Sequence, residues 1–200
     1  MQCAQIQYNI YMIKYYYFSS QFKLNRGAFD DIIRNSYTQY IEIEYLNDFN
    51  GIILADENFF VRLKSIIDIL SVDLNTNFIF LESYKLSNLA EKTLLKLQKR
   101  CSSGLFSLSL VILQYYMSGD LELYEELKKE FSLLKKELLD TAIAYINCNM
   151  NACLASKSLY IHRNTFNYRL NKFIEQTSLD IRNYNNSILL LTYYLIESNT

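Results

Sequence analysis

The sequence predicts an α+β protein in which a small sheet domain, with the element order βαββαβα, precedes an all-α domain. Before residue 100, several short segments carry apolar residues at every second position, and segments with helical spacing separate them. From Gly104 onward only helical spacing is found. Half of the 200 residues are apolar, so the chain can bury a sizeable core. We expect the sheet domain over residues 1–103, linking helices over 104–134 and the second domain over 135–200.

The first half of the sheet domain is predicted from a strand, a helix and a hairpin. The first strand is indicated by the alternating residues Ile6, Tyr8, Ile10 and Met12. A helix follows near residues 24–35, and "YTQYIEIEYL" (37–46) alternates again. The segment "NDFNG" (47–51) supplies turn residues before the return strand "IILA" (52–55). We assign the aromatic cluster of residues 15–18 to the sheet core or to an interface, because only Lys14 accompanies it as a cation.

Two helices and one strand complete the predicted sheet domain. The segment 56–70 opens with acidic residues that suit a helix N-terminus and continues with apolar residues at helical spacing. The segment "NFIFLES" (77–83) predicts the fourth strand. Residues 87–100 form an amphipathic pattern for which Ser87 is the expected N-cap. A small sheet with helices packed on a face follows from this order.

The middle of the chain is predicted to be helical. Residues 105–117, "LFSLSLVILQYYM", are nearly all apolar and indicate a buried helix. Residues 121–146 form a charged amphipathic stretch of one or two helices, whose Glu and Lys runs suggest a solvated face with i,i+4 pairs. The apolar face of this stretch must pack either on the sheet domain or on a second copy of the chain.

Composition argues against most enzyme classes. The chain has no proline, four glycines and one histidine, and phosphate-binding glycine loops and nucleophile motifs are absent. The four cysteines show no CxxC spacing, so we expect reduced thiols, no metal site and no cofactor. The first twenty residues lack a basic region and a cleavage site, and polar residues interrupt them. We therefore expect a cytoplasmic protein that neither spans a membrane nor acts as an enzyme.

Charge is distributed unevenly along the chain. Residues 149–182 hold five cations and two carboxylates, a local charge of +3, so the remainder carries −4 of the net −1. A small basic module attached to a mildly acidic body is typical of proteins that meet a polyanion through one region.

Residues 151–170, "NACLASKSLYIHRNTFNYRL", have the layout of a helix-turn-helix. A first helix over about 151–159 is predicted to place Leu154, Ala155 and Leu159 inward, while Ser156 is small enough for a close helix crossing. The turn follows at residues 160–161 with Ile161 in the core, and the second helix begins near Arg163. At about 100° per residue, Phe166, Leu170 and Phe173 form the buried stripe of this second helix.

The opposite side of the second helix is predicted to contact double-stranded DNA in the major groove. Between residues 163 and 172 it carries amides, a phenol and cations and no carboxylate. Asparagine pairs with adenine, whereas Lys and Arg bind guanine or phosphate. We expect Asn164, Tyr168 and Asn171 nearest the base edges and Arg163, Arg169 and Lys172 on the backbone. The full predicted DNA-binding set is His162, Arg163, Asn164, Asn167, Tyr168, Arg169, Asn171 and Lys172.

His162, the one histidine, stands where Ser or Asn would cap the second helix. We expect a ring nitrogen to act as the cap acceptor, with contact to a phosphate as the alternative. Catalysis is not expected, because no nucleophile motif surrounds it.

Residues 137–181 resemble the C-terminal DNA-binding domain of PucR-type bacterial transcription regulators, which include sugar-diacid regulators. The likeness lies in "LYIHRNTFNYRL" (159–170), in the preceding "ELLDTAIAY" (137–145) and in the following "EQTSLD" (175–180), and the apolar helix 188–196 fits the family's length. It implies a transcription regulator that binds DNA as a homodimer. Met150 and Ser178 stand where glycine is usual, and Asn167 and Asn171 replace arginines, which implies fewer phosphate contacts.

The upstream βαββαβα order, over about residues 5–100, is similar to the degenerate GGDEF-like domain that such regulators often carry. Where a diguanylate cyclase has two glycines, this chain has "LNDFNG" (46–51), so no nucleotide chemistry is expected. The family's N-terminal effector module has no counterpart here, and the chain is either a short regulator or a fragment of a longer one. The alternatives are a protein-interaction module or a small-molecule sensor that retains the fold without binding DNA.

Overall fold

A five-stranded mixed sheet forms the centre of the computed structural model, which describes residues 13–198. In chain order the strands are β1 Lys14–Ser20, β2 Glu42–Tyr45, β3 Asn50–Ala55, β4 Phe78–Ser83 and β5 Gly104–Ser107. They lie in the order β2-β3-β1-β4-β5, and only the β4–β5 pair is parallel. The α+β class predicted from the sequence is confirmed.

Strand β1 occupies the middle of the sheet because its residues are apolar on both sides. Tyr16, Tyr17 and Phe18 are all buried. Tyr17 lies opposite Ile52 of β3 and Leu81 of β4, so its side of the sheet is lined with apolar residues across three strands. The aromatic cluster thus belongs to the sheet core, as one of the two predicted readings had it. The strand predicted at residues 6–12 lies outside the described residues.

The β2–β3 hairpin has the predicted turn. The Asn47 side chain accepts hydrogen bonds from the backbone N–H groups of Phe49 and Asn50, at 2.8 and 2.9 Å, and so closes the turn locally. Gly51 follows in β3, where an added Cβ would collide with the Phe18 ring and with the carbonyl of Glu44. The glycine is required here for close approach of a side chain to the backbone.

The first face of the sheet is covered by α1 (Arg26–Ser36) and α2 (Asn58–Asp73). Asn25 caps α1 by accepting from the backbone N–H of Ala28. Phe29 of α1 and Phe59 and Leu63 of α2 are fully buried against Tyr16 and Phe18. These helices and the sheet face enclose one of the two apolar cores.

The second face is covered by α3 (Asn88–Arg100), α4 (Leu108–Met117) and α5 (Glu122–Ser132). The predicted cap is confirmed, since Ser87 Oγ accepts from the backbone N–H of Ala90. Leu123, Leu127 and Phe131 of α5 are buried in the same core as the sheet residues Tyr17 and Leu81. The apolar face of the charged stretch therefore packs within this chain, on the layer that covers the sheet.

Ion pairs of the charged stretch join different helices. Lys92 and Lys96 of α3 pair with Glu126 and Glu122 of α5 at 2.7 and 2.8 Å, and Lys128 of α5 pairs with Glu197 of α9 at 2.8 Å. Within residues 121–146 the single pair along one helix, among the described residues, joins Glu126 and Lys129 at i,i+3. The expectation of i,i+4 pairs was wrong, because these cations and carboxylates find partners on neighbouring helices.

The last helices are α6 (Lys136–Asn147), α7 (Ala152–Ser158), α8 (Arg163–Thr177) and α9 (Tyr184–Ser198). The ring of Tyr193 in α9 packs against the rings of Tyr124 and Phe131 in α5, with centroids 6.2 and 4.8 Å apart, and meets Phe131 edge to face. A buried hydrogen bond of 3.0 Å joins Ser109 of α4 to Asn186 of α9. The helix-turn-helix thereby shares one continuous core with the sheet's second face.

Strand β5 corrects the expectation that strands end before Gly104. Leu105 and Phe106, which were predicted to open a helix, instead pair in parallel with Phe80 and Leu81 of β4. A continuous apolar run has no period of its own, so the segment alone does not distinguish strand from helix. Gly104 enters the strand at φ +152°, a conformation that favours glycine.

Candidate nucleic-acid interface

Helix α7 begins at a side-chain cap. Asn151 Oδ1 accepts from the backbone N–H groups of Cys153 and Leu154 at 3.0 and 3.1 Å, which satisfies two N–H groups that lack a helical partner. Before it, Asn149 and Met150 both adopt left-handed backbone, at φ +52° and +58°. This bend carries the chain from α6 to α7, and it explains why glycine would suit position 150.

Helix α7 buries fewer of its apolar side chains than predicted. Ala155 and Ser156 are buried, so Ala155 faces inward as predicted. Leu154, predicted to point inward, is instead 53% exposed, so that assignment was wrong. Leu159 and Ile161 are half-buried and pack against the edge of the core. Helix α7 has only seven residues, so the apolar stripe that it can pack against neighbouring helices is short.

The turn between α7 and α8 is closed by backbone hydrogen bonds. Tyr160 adopts left-handed backbone at φ +55°, and its N–H donates to the carbonyl of Lys157 at 3.1 Å. Ile161 N–H donates to the carbonyl of Ser156 at 3.0 Å. The Tyr160 side chain is 97% exposed and so projects from the turn beside the start of α8.

His162 caps α8, as predicted. Its Nδ1 atom accepts from the backbone N–H of Asn164 at 3.2 Å, and its own backbone is extended, at φ −66° and ψ 145°. The carbonyl of His162 accepts from Phe166 N–H at 3.0 Å and so starts the helical ladder. The first turn of α8 holds no acidic residue, so the partial positive charge of the helix N-terminus stays open to an anion.

The predicted buried stripe of α8 is confirmed. Phe166 and Phe173 are fully buried, and Leu170 is buried between them along the helix. The Phe166 ring lies 6.2 Å from the ring of Tyr145 in α6. This stripe fixes the rotation of α8 and thereby determines which side chains project into solvent.

The opposite side of α8 carries the predicted amides and phenol. Asn164, Asn167 and Asn171 are exposed, and Tyr168 is 62% exposed. The backbone of α8 is regular over Arg163–Thr177, so these four side chains form one outward surface. We call this surface, together with Arg163, the α8 outer face.

Two of the cations predicted to contact DNA are paired with carboxylates. Arg169 is half-buried, and its Nη2 atom lies 2.8 Å from Oε2 of Glu137 in α6. Lys172 Nζ lies 2.7 Å from Oε2 of Glu175, one turn further along α8. The hydrogen bond to Glu175 raises the pKa of Lys172 above its ordinary value. A phosphate would have to displace these carboxylates to reach either cation.

Arg163 and Lys157 are the exposed cations beside the α8 N-terminus. Within residues 13–198, neither is in an ion pair with a carboxylate. Lys157 and Tyr160 were not in the predicted DNA-binding set, although both are exposed close to Arg163 in the chain. The sequence signal available for Lys157 was its place in the local cluster of cations.

The residues after α8 form hydrogen bonds with residues close to them in the chain. Ser178 ends the helix in left-handed backbone at φ +56°, and its N–H donates to the carbonyl of Ile174 at 2.7 Å. The Asp180 carboxylate accepts from both the backbone and the guanidinium of Arg182, at 2.6 to 3.0 Å. Arg182, counted among the basic cluster, is thus tied to its own loop.

The described residues show no metal centre or membrane span. Among residues 13–198, no cluster of three His, Cys, Asp or Glu side chains is arranged to hold a metal ion. Cys101, Cys148 and Cys153 are free thiols, and Cys3 lies outside the described residues. Within the same range, no helix combines the length and apolar character needed to cross a bilayer.

The helix-turn-helix is similar to a known family of domains. Residues 138–196 match the PucR C-terminal helix-turn-helix domain. The "Carbohydrate diacid regulator" of Escherichia coli (strain K12) is 44% identical over 50 residues, which are 25% of this chain and 13% of that protein. The second domain therefore contains a helix-turn-helix that is similar to the PucR type.

Longer matches extend over the sheet as well. The "Uncharacterized protein YxkF" of Bacillus subtilis (strain 168) is 25% identical over 201 residues, covering 88% of this chain and 65% of that protein. A solved structure, the "Regulator of Polyketide Synthase Expression from Bifidobacterium adolescentis", is 15% identical with a TM-score of 0.46, covering 92% of this chain and 80% of that one. The chain thus spans about two thirds of the first relative and a small part of the diacid regulator.

Proposed function

We propose that this protein is a cytoplasmic, PucR-type transcription regulator that binds double-stranded DNA as a homodimer and has no enzymatic activity. The observation that carries the proposal is the α8 outer face. It is an exposed surface of amides, a phenol and a cation without a carboxylate between residues 163 and 172, on the second helix of a PucR-type helix-turn-helix. A second helix with such a face is the element that enters the major groove in this motif.

Base recognition is assigned to the amides and backbone contact to the helix start. Asn164, Asn167 and Asn171 each offer a donor and an acceptor, which is the pattern that reads adenine in the major groove. Arg163 is the first residue of α8, and the first turn of this helix holds no acidic residue. The charge of Arg163 and the partial positive charge of the helix N-terminus therefore act together on a phosphate. The exposed Lys157 and Tyr160 extend this contact to the turn.

The ion pairs on α8 imply modest affinity for a single domain. Arg169 and Lys172 each leave a carboxylate when they contact phosphate, so part of the electrostatic gain is lost. One short helix also reads few base pairs. A homodimer on an inverted repeat would supply the missing specificity, since two half-sites double the contacts.

The sheet domain is proposed to be a degenerate GGDEF-like module without catalysis. In its hairpin the turn is closed by the Asn47 side chain, and the residues 46–50 contain no glycine that would let a nucleotide approach the backbone. Incubation of the purified protein with GTP is expected to yield no product.

The first experiment is selection of bound fragments from sheared genomic DNA, at about 50 mM and about 200 mM salt. A sequence-specific dimer is expected to enrich a few sites that share an inverted repeat, with weaker retention at the higher salt. Retention of no fragment at the lower salt would overturn the proposal.

Three substitutions test whether the α8 outer face and Arg169 contact DNA. Arg163→Ala is expected to weaken binding to all sequences and to lower the salt slope by about one unit. Asn164→Ala is expected to relax preference at one base pair, and Arg169→Ala to act like Arg163→Ala but less, because Glu137 already holds that guanidinium. Lys64→Ala is the matched control, since it removes a charge on α2, across the sheet. Unchanged affinity in the Arg163 and Asn164 variants would rule out this face.

The second candidate function is a protein-interaction module that keeps the fold. It is favoured by the ion pairs on Arg169 and Lys172 and by the exposed Leu154, Tyr160 and Tyr168. Aromatic residues and few free charges are typical of protein interfaces. Absence of any salt-dependent DNA affinity would favour this candidate over the regulator.

A further inference from the structure

A polar cleft lies at one end of the sheet, away from the helix-turn-helix. It has a volume of about 460 Å³ and is formed where β1 ends, where the β2–β3 hairpin turns and where α3 ends. This volume lies in the range of about 300 to 1,000 Å³ that is usual for small-molecule sites.

The lining of the cleft is uncharged and rich in carboxamides. Five of its eleven residues are amides, namely Gln21, Asn47, Asn50, Asn77 and Gln98. The others are serines, a cysteine, Ile79 and the ring of Phe49, and no Asp, Glu, Lys or Arg is among them. The neighbouring Asp48 is engaged in ion pairs with Lys23 and Arg26 at 2.9 and 3.4 Å.

The amides are held in place by one another. Gln98 Nε2 donates to Ser19 Oγ at 2.5 Å and to Asn50 Oδ1 at 3.3 Å, and Asn77 Nδ2 donates to Gln21 Oε1 at 3.0 Å. These bonds link segments that are 48 to 79 residues apart in the sequence. The cleft is therefore built before any ligand arrives, which lowers the entropy cost of binding.

Each of these amides keeps hydrogen-bonding capacity. Within residues 13–198, the Gln98 carbonyl oxygen, the Asn50 amide nitrogen and the Asn77 carbonyl oxygen have no protein partner. Ser19, at the buried floor, accepts from Gln98 and still has its own hydroxyl hydrogen to donate. The lining residues thus offer a ligand both donors and acceptors.

We propose that this cleft binds a neutral polyhydroxylated ligand of mono- to disaccharide size. Hydroxyl groups on adjacent carbons present alternating donors and acceptors, which match side-by-side amide groups. A phosphate or dicarboxylate is disfavoured, because no cation lines the cleft to offset its desolvation. The exposed Phe49 ring offers one apolar surface for the carbon face of such a ligand. The proposal does not depend on DNA binding.

The test is ligand-observed NMR and calorimetry on the full chain with a panel of glucose, galactose, ribose, maltose and cellobiose. At least one of these is expected to bind with a Kd near or below about 1 mM. Glucarate, the diacid of glucose, and the nucleoside guanosine serve as charged and planar comparisons, and both are expected to bind at least about 10-fold more weakly. No binding by any panel member at about 10 mM, or equal binding of glucarate or guanosine, would overturn the proposal.

Substitutions locate the ligand. Gln98→Leu removes the side-chain amide of an exposed helical residue and keeps a side chain of similar size. It is therefore expected to weaken binding of the sugar about 10-fold. Asn77→Ala tests the loss of a second cleft amide, from a different segment of the chain, on binding of the sugar. Gln114→Leu, the same change at an exposed position of α4 outside the cleft, is expected to leave binding unchanged. Full binding in both the Gln98 and Asn77 variants would overturn the site.

Discussion

Ser178 and Met150 illustrate how a single backbone conformation shapes this domain. Both stand where the resemblance to PucR-type regulators implies glycine, and both have left-handed backbone, at φ +56° and +58°. A β-carbon in this conformation costs about 1 kcal/mol. Met150 also packs against the core, so its side chain offsets part of that cost. Ser178 is exposed and has no such compensation.

Ser178→Gly is therefore expected to raise the free energy of unfolding by about 1 kcal/mol. Urea denaturation followed by circular dichroism measures the change. Ser65→Gly, the same replacement in the middle of the right-handed α2 helix, is the control and is expected to lower stability by about 0.5–1 kcal/mol. A loss of stability in the Ser178 variant would show that the serine side chain has a role that its exposure does not reveal.

Asp180 makes the stability of the same domain depend on pH. Its side chain is 8% exposed; burial raises its pKa, but the hydrogen bonds from Arg182 outweigh burial and hold the pKa below its ordinary value. A carboxyl with a lowered folded-state pKa stabilises the fold above its unfolded pKa of about 3.9, and this contribution is lost as pH falls through the folded value.

We expect the wild-type protein to lose stability below about pH 4, and Asp180→Asn to lose less over the same interval. The variant is less stable than wild type at neutral pH, where the pair with Arg182 is fully formed. Urea midpoints measured from about pH 7 to pH 3 follow the effect. Asp140→Asn, at an exposed site of α6 without an ion pair among the described residues, is the control. Parallel pH curves for wild type and Asp180→Asn would contradict the assignment.

At the scale of elements, the start of α8 depends on one side chain. His162 Nδ1 accepts from Asn164 N–H, and the helix has no other acceptor from a side chain in its first turn among the described residues. Asn is among the best N-cap residues, whereas Ala cannot accept a hydrogen bond.

His162→Asn is expected to keep stability within about 0.5 kcal/mol, and His162→Ala to lower it by about 1 kcal/mol. Thermal and urea unfolding of both variants give the comparison. Total loss of structure in His162→Asn would argue against a simple capping role. If the Ala variant equals wild type, the hydrogen bond to Asn164 contributes nothing to folding.

At the scale of the whole molecule, the sheet and the helix-turn-helix share a core. Tyr17 and Leu81 of the sheet belong to the same buried cluster as Phe166 and Phe173 of α8. The helices α4 and α5 connect them, through Ser109 to Asn186 and through Phe131 to Tyr193. A cluster of this kind favours a single unfolding transition.

Leu81→Ala in β4 is expected to lower the free energy of unfolding by about 2–5 kcal/mol and to lower hydrogen-exchange protection in α8 together with that in β1. Exchange measured by mass spectrometry resolves the two segments. Leu133→Ala, at an exposed position after α5, is the control and should leave both unchanged. If protection falls in β1 and stays constant in α8, the sheet domain and the helix-turn-helix unfold independently.

The sequence by itself determined the features that depend on neighbouring residues. The helices α1 to α3, the hairpin turn, the His162 cap and the buried stripe of α8 all follow from periodicity and capping within one segment. The amides of the α8 outer face follow from the same period, because a helix with one buried stripe must expose the other side.

The tertiary structure decided whatever depends on segments far apart in the chain. Strand β5 exists because β4 offers it a partner, and α7 buries Ala155 and Ser156 while Leu154 stays exposed. Arg169 is paired because Glu137 lies on the adjacent helix α6, and the polar cleft unites residues from Ser19 to Ser102. The periodicity of a short sequence segment does not predict any of these contacts, because the energy that fixes them comes from packing between distant elements.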